Sequence, residues 1–293
     1  MANNILVLSL TRMGDMVQST PLLAGLRKKY PQSVITLMVS SDFAAFAKRI
    51  PFIDDVIVFN LRQFNEKRSK GDEFTWVEVY RYMEDFLRQA MDRKYDMVFN
   101  LSHSKLSALM ISYLGIPQVR GFYCNETGNR ATEHPWLQYF GIEPFNRLYN
   151  PFNLADIYMR TADVDAYCRQ VMIKTDETDM ASIEDIVRDS NIQNDELLIG
   201  FQAGSSLEHR RWPARSFAEL ADLLASKLNA RIVLFGVESE SKVATEICSL
   251  MKMRHKTIDL TGKTDIARLI GMLKRCKYLV TNDTGTMHVA AAL

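Results

Sequence analysis

Short runs rich in β-branched residues, each followed by a stretch with helical spacing, recur along the chain and leave few architectures open. In the first half, residues 4–10, 34–39, 56–59, 97–101 and 119–122 read as strands. Helical patterns fall at 15–30, 43–49, 75–92 and 105–114. Val79, Tyr82, Met83, Phe86 and Met91 carry the helical spacing in 75–92, and that helix, with Trp76 and Tyr80, is expected to pack on a sheet, with a membrane-facing role as the alternative. The alternation resumes with strands at 197–202, 231–235, 257–260 and 278–281 and helices at 215–227, 239–251, 265–276 and after 281. Such β-α-β succession predicts an α/β chain with parallel, doubly wound sheets. Two domains follow, 1–173 and 196–293, and a ligand is expected in the cleft they face. The acidic, polar segment 174–195 reads as a linker with one short helical pattern, and 123–150 reads as a long loop. A complete second domain of this kind would carry at least one more strand and helix, so truncation near Leu293 is expected.

Charge and cysteine usage exclude several classes. The net charge of +1 supplies no global field for nucleic acid. Basic character is local, in Arg27-Lys-Lys29, Lys67-Arg-Ser-Lys70 and His209-Arg-Arg211. Cys124, Cys168, Cys248 and Cys276 show no zinc spacing, so no metal site is expected, and free thiols suit a reducing cytosol. The apolar stretch 5–10 is too short for a signal or a membrane span. A cytosolic protein is expected, with peripheral membrane contact left open.

Three turns after strands carry candidate chemistry. The strand at 278–281 runs into Asn282-Asp-Thr-Gly285 and then an Ala-rich helix, where free N–H groups and the helix dipole suit a phosphate or diphosphate. Thr284 and Thr286 add hydroxyls, and His288 is either a ligand contact or a structural histidine. After the first strand, Gly14 permits a sharp turn. Asp15 then caps its helix or serves as a general base. The lone glycine does not make a dinucleotide fingerprint. In the second half, Gln202-Ala-Gly204-Ser205 lets backbone approach a ligand, and Arg210 and Arg211 are either phosphate clamps or surface cations. Glu238 and Glu240 lie just past a strand end, placed for ribose hydroxyls or for a helix N-terminus. Asp163-Val-Asp165 has the spacing of metal-dependent sugar transferases but falls in a helical stretch, and is taken as chance.

Together these motifs resemble the family 9 glycosyltransferases, the ADP-heptose:lipopolysaccharide heptosyltransferases. The resemblance rests on Arg12-Met-Gly-Asp15 with Thr20-Pro21, on Gly204-Ser205 with Arg210-Arg-Trp-Pro213, and on Asp283-Thr-Gly-Thr-Met-His288. Tyr95-Asp96, Asn100-Leu-Ser, Lys105 and Arg120-Gly-Phe122 add to it. It implies a GT-B fold of two Rossmann-like domains, acceptor on the first and donor on the second. It implies metal-independent, inverting transfer of heptose from ADP-heptose, a substrate and not a cofactor, to a lipopolysaccharide core acceptor at the inner face of the inner membrane. Asp15 would be the base, and Arg12, Lys105 and Arg120 would meet the acceptor. Gly204, Ser205, Arg210, Glu240, Asp283, Thr284, Gly285 and His288 would hold the donor, with Glu238 in reserve for the ribose. Arg210 replaces the family's usual lysine and Thr286 a frequent proline. Transfer from another nucleotide sugar, or nucleotide-sugar binding without turnover, are the alternatives.

Overall fold

A computed structural model of the chain describes residues 2–69, 73–142, 151–164, 170–205 and 207–293. Two compact units divide it, Met1–Lys174 and Thr175–Leu293. The first unit begins β1 (Asn4–Ser9), α1 (Met13–Gln18), α2 (Thr20–Lys29), β2 (Val34–Ser40), α3 (Ala44–Ala47) and β3 (Asp55–Phe59). It continues α4 (Leu61–Ser69), α5 (Glu73–Met91), β4 (Met97–Asn100), α6 (Lys105–Leu114) and β5 (Gln118–Gly121). A hairpin of β6 (Tyr123–Cys124) and β7 (Arg130–Ala131) follows, then α7 (Pro135–Ile142) and α8 (Leu154–Thr161). The five long strands are parallel in the order β3-β2-β1-β4-β5.

The single helix expected over 15–30 is two. Pro21 has no N–H for the carbonyl of Val17, and the hydroxyl of Thr20 donates to that oxygen instead at 2.8 Å. Leu6, Leu8 and Val98 bury one face of the sheet against Phe64, Val79, Leu87, Met110 and Ile111 from α4, α5 and α6. Helix α5 thus packs on the sheet as expected, while Trp76 and Tyr80 stay 42% and 63% exposed. The loop expected over 123–150 is a correction: it holds the β6-β7 hairpin and α7, and only 143–150 lies outside the described residues.

The second unit runs α9 (Glu177–Ala181), α10 (Glu184–Asp189), β8 (Leu198–Gln202), α11 (Ala214–Leu228) and β9 (Arg231–Phe235). Then come α12 (Ser241–Leu250), β10 (Thr257–Asp259), α13 (Ile266–Arg275), β11 (Tyr278–Thr281) and α14 (Gly285–Ala291). Its parallel sheet has the order β10-β9-β8-β11, which repeats the first four positions of the other sheet. The linker expected over 174–195 is corrected too. Helices α9 and α10 belong to this unit, and α9 meets α13 so closely that a Cβ on Gly271 would lie 2.2 Å from the carbonyl oxygen of Asp179.

Among the described residues no helix is long and apolar enough to cross a membrane. Cys124, Cys248 and Cys276 are free thiols, and burial pushes Cys276 up to about 12, which leaves it unreactive. Cys168 lies outside the described residues.

Candidate active site

In the second unit, candidate residues gather where β8, β9 and β11 end, the edge at which open parallel sheets take ligands. Gly204 follows β8, and the carboxylate of Glu240 fills the space that a side chain would need. A Cβ on Gly204 would fall 1.9 Å from Glu240 Oε1. Glu240 Oε2 accepts from Gln202 Nε2 at 3.1 Å and from the Val237 N–H at 3.0 Å. Gln202 Oε1 accepts in turn from the Thr286 hydroxyl at 3.2 Å. Glu238 faces another way: it lies over Gly262, where φ is +72° and a Cβ would meet Glu238 Oε2 at 2.0 Å.

Asn282 fastens this edge together. Its buried amide donates to the Ala203 carbonyl at 2.7 Å and accepts from the Trp212 N–H at 3.1 Å. The two arginines separate in role. Arg211 donates to the Ser205 carbonyl through Nε at 3.1 Å and Nη2 at 2.7 Å, so it holds the loop. Arg210 is exposed at the end of the 3-10 turn Glu208–Arg210 and forms no ion pair among the described residues. Asp283 is exposed, and Thr284 occupies the N-cap position of α14 without a side-chain cap, its buried hydroxyl having no hydrogen-bond partner among the described residues. Gly285 opens α14, Thr286 is its second residue, and His288 is its half-buried fourth.

In the first unit, Asp15 is the third residue of α1, half-buried, and accepts from the Arg12 N–H at 3.3 Å. Arg12 is the exposed N-cap residue of that helix. Its side chain has no acceptor oxygen, so the capping runs one way, from carboxylate to backbone. Tyr158 is buried and donates to the Leu101 carbonyl at 3.3 Å. Burial, and then the negative charge of Asp15, push its phenol pKa up and keep it protonated. The loops after β1 and β4 are tied by the Leu10 N–H to Ser102 Oγ, at 2.7 Å. That tie brings the Arg12–Asp15 turn beside the turn from which the exposed Lys105 opens α6. Arg120 does not join them, because its guanidinium lies 3.6 Å from Asp163. Asp163 sits in a left-handed turn with φ +50° after α8, and Asp165 lies outside the described residues.

Three residues, one in the first unit and two in the second, receive no role of their own from the sequence. Gln202 and Asn282 had a signal, since each is a buried polar side chain at the end of an apolar strand. Arg130 had none: its guanidinium is placed over the Phe122 ring at 4.6 Å by the hairpin, and it donates to the His103 carbonyl.

Residues 85–293 match the family model described as glycosyltransferase family 9 (heptosyltransferase). Lipopolysaccharide heptosyltransferase 2 of Salmonella typhimurium is 26% identical to this chain, over 99% of it and 80% of the relative. That alignment takes in the Asp15 turn, which precedes the residues matched by the family model. A solved family 9 glycosyltransferase from Veillonella parvula superposes with a TM-score of 0.79 at 25% identity, covering 98% of this chain and 77% of its own. E. coli ADP-heptose lps heptosyltransferase II superposes with a TM-score of 0.71 at 23% identity, covering 99% and 82%, and shares the GT-B architecture. The chain belongs to glycosyltransferase family 9, the heptosyltransferase family.

Proposed function

We propose that this transferase moves heptose from ADP-heptose to a sugar of a lipopolysaccharide core, with inversion and without a metal. The observation that carries the reading is the Gly204–Glu240 contact, a carboxylate held by two donors beside a side-chain-free turn at the end of β8. That pairing suits a nucleoside diphosphate: the carboxylate accepts from a ribose hydroxyl, and backbone comes close to the phosphates. The similarity to lipopolysaccharide heptosyltransferase 2 supplies the choice of sugar and acceptor.

In this reading Gly204, Ser205 and the N–H groups of Thr284 and Gly285 surround the diphosphate, and Asp283 and His288 shape that pocket. Arg210 adds an exposed cation. The first unit supplies the acceptor half of the reaction, with Asp15 as base and Arg12 and Lys105 meeting acidic groups of the core; Arg120, paired with Asp163, is left out of this set. As the acceptor oxygen bonds to the anomeric carbon, the bond from that carbon to the phosphate oxygen breaks. Its electron pair leaves on ADP, and the acceptor proton passes to Asp15. Such an acceptor is anchored in a membrane, so peripheral contact at the cytosolic face of the inner membrane belongs to the same proposal.

The test is ADP release from ADP-heptose with heptose-deficient lipopolysaccharide as acceptor. Acceptor-dependent ADP, with heptose added to the lipopolysaccharide, is the expected result. Release from a UDP- or GDP-sugar in its place would refute the donor assignment.

Replacing Arg210 tests the phosphate contact alone. A lost hydrogen bond to a charged group costs about 1.5–3 kcal/mol, so Arg210→Ala should bind ADP roughly 10- to 150-fold more weakly. Calorimetric titration reads this directly, and unchanged affinity removes Arg210 from the site. Arg210→Lys should recover part of the loss, as a point charge in place of a fork.

A further inference from the structure

We infer that Gln202 is a positioning residue for the donor ribose, locked in one orientation by Thr286 so that Glu240 presents a single free oxygen. The inference rests on the proposed contact of Glu240 with ribose and adds what makes that contact selective. Gln202 is the last residue of β8, 4% exposed, in a strand whose other residues are Leu198, Ile199, Gly200 and Phe201. A buried amide there must be satisfied on both sides.

The orientation of the amide follows from donor and acceptor chemistry. A carboxylate only accepts, so the NH₂ of Gln202 must face Glu240 Oε2, at 3.1 Å. The amide oxygen then faces Thr286, 9% exposed, whose hydroxyl must donate across 3.2 Å. With the Val237 N–H also on Oε2 at 3.0 Å, that oxygen has two donors. Oε1, lying against Gly204, is left to take a ribose O–H. The Thr286 hydroxyl is thus the donor that holds the amide in this orientation. A chain of this kind joins the start of α14 to the strand end of β8 and the turn after β9. The bonds strengthen one another in a buried setting.

The alternative is that Gln202 only satisfies the end of its strand. A cycle between protein and ligand separates the two. Gln202→Met with Thr286→Val removes both ends of their mutual bond and leaves Glu240 Oε2 the Val237 N–H as its donor, so the cost to stability should be limited. Full-length wild type, this double variant and Glu240→Ala are titrated with ADP, 2′-deoxy-ADP and 3′-deoxy-ADP. In the wild type, one missing hydroxyl should weaken binding roughly tenfold or more, as expected for a bond to a charged acceptor. In the double variant that ratio should fall at least about fivefold, through weaker ADP binding, with the deoxynucleotide bound about as well as before.

Equal weakening for ADP and both deoxynucleotides, with the ratio intact, overturns the positioning role. If Glu240→Ala abolishes the ratio while the double variant keeps it, the ribose reading stands and only this inference falls. If Glu240→Ala also keeps it, the ribose contact is wrong and the inference falls with it. Thr286→Val alone, which leaves Gln202 in place, should lower the ratio in the same direction and covers the case in which the double variant does not fold.

Discussion

Asp15→Asn should leave ADP affinity within about twofold of wild type and lower turnover roughly 100- to 10,000-fold, the range over which a positioned base acts. The substitution is chosen because Asn separates the cap seen in the structure from the proposed base. As a cap, the carboxylate accepts from the Arg12 N–H at 3.3 Å. An amide oxygen at the same place can still accept from that N–H, though more weakly than a carboxylate. Helix α1, which buries Met16 and Val17, should therefore keep its place. A proton acceptor is what Asn removes. Rates of heptose transfer, measured beside ADP titrations and thermal unfolding of the same samples, decide the matter. Turnover near wild type would make Asp15 a cap and nothing more. Low turnover together with a lowered melting temperature would point to α1 and not to chemistry. Tyr158 does not rescue the reaction in the variant, because burial keeps its phenol protonated and its hydroxyl donates to the Leu101 carbonyl.

What could be read from the chain and what could not divide along physical lines. Strands β9 and β11 and helix α6 were legible to the residue, because local signals agree with burial there. For α6, Ser104 accepts from the Ser107 N–H at one end and Gly115 takes φ +60° at the other. The segment 174–195 was misread because its helices are acidic and short, and of its apolar residues only Ile183, Ile186 and Ile192 are buried. Contacts with α13, at Gly271 and in the Arg268–Asp185 ion pair, reveal the packing, and those partners are far away in sequence. The β6-β7 hairpin carried a turn signal in Asn125 and Gly128 that the surrounding aromatics masked. At the candidate site, the motif residues of the second unit were legible as loop chemistry after strands. The difference between Arg210 and Arg211 was not, since it depends on which guanidinium reaches the Ser205 carbonyl. The choice of Glu240 over Glu238 rested on resemblance, and the bond from Gln202 supports it physically.

Gly121→Ala should destabilise the first unit by about 3–5 kcal/mol, among the largest single-substitution effects expected for a surface-distant glycine. Two costs combine. Gly121 ends β5 at φ +122°, and holding an L side chain in such backbone costs about 1–3 kcal/mol. A Cβ there would also lie 2.3 Å from the carbonyl oxygen of Asn100 and 2.9 Å from its nitrogen, and overpacking of this kind typically costs about 1–3 kcal/mol more. Neither atom gives way cheaply. Asn100 pairs in register with Gly121 across the sheet, and its side chain donates to the Phe122 carbonyl at 2.7 Å and accepts from the Ser102 N–H at 3.0 Å. Ser102 then holds the Leu10 N–H, so pressure at Gly121 reaches the turn that carries Asp15. Gly115→Ala is the internal control: φ there is +60°, and no atom lies within 4 Å of the added carbon. It should cost only the left-handed strain, about 1–2 kcal/mol. Unfolding of the full chain followed by tryptophan fluorescence compares them, since Trp76 and Trp136 report on the first unit and Trp212 on the second. At about 2–4 °C per kcal/mol for a unit of this size, the Gly121 variant should lose roughly 6–20 °C and the Gly115 variant about 2–8 °C. Equal losses would mean that the Asn100 backbone yields. The expected difference would instead place the clash, and not strain alone, at the point where β4 and β5 hold the acceptor-side turns in place.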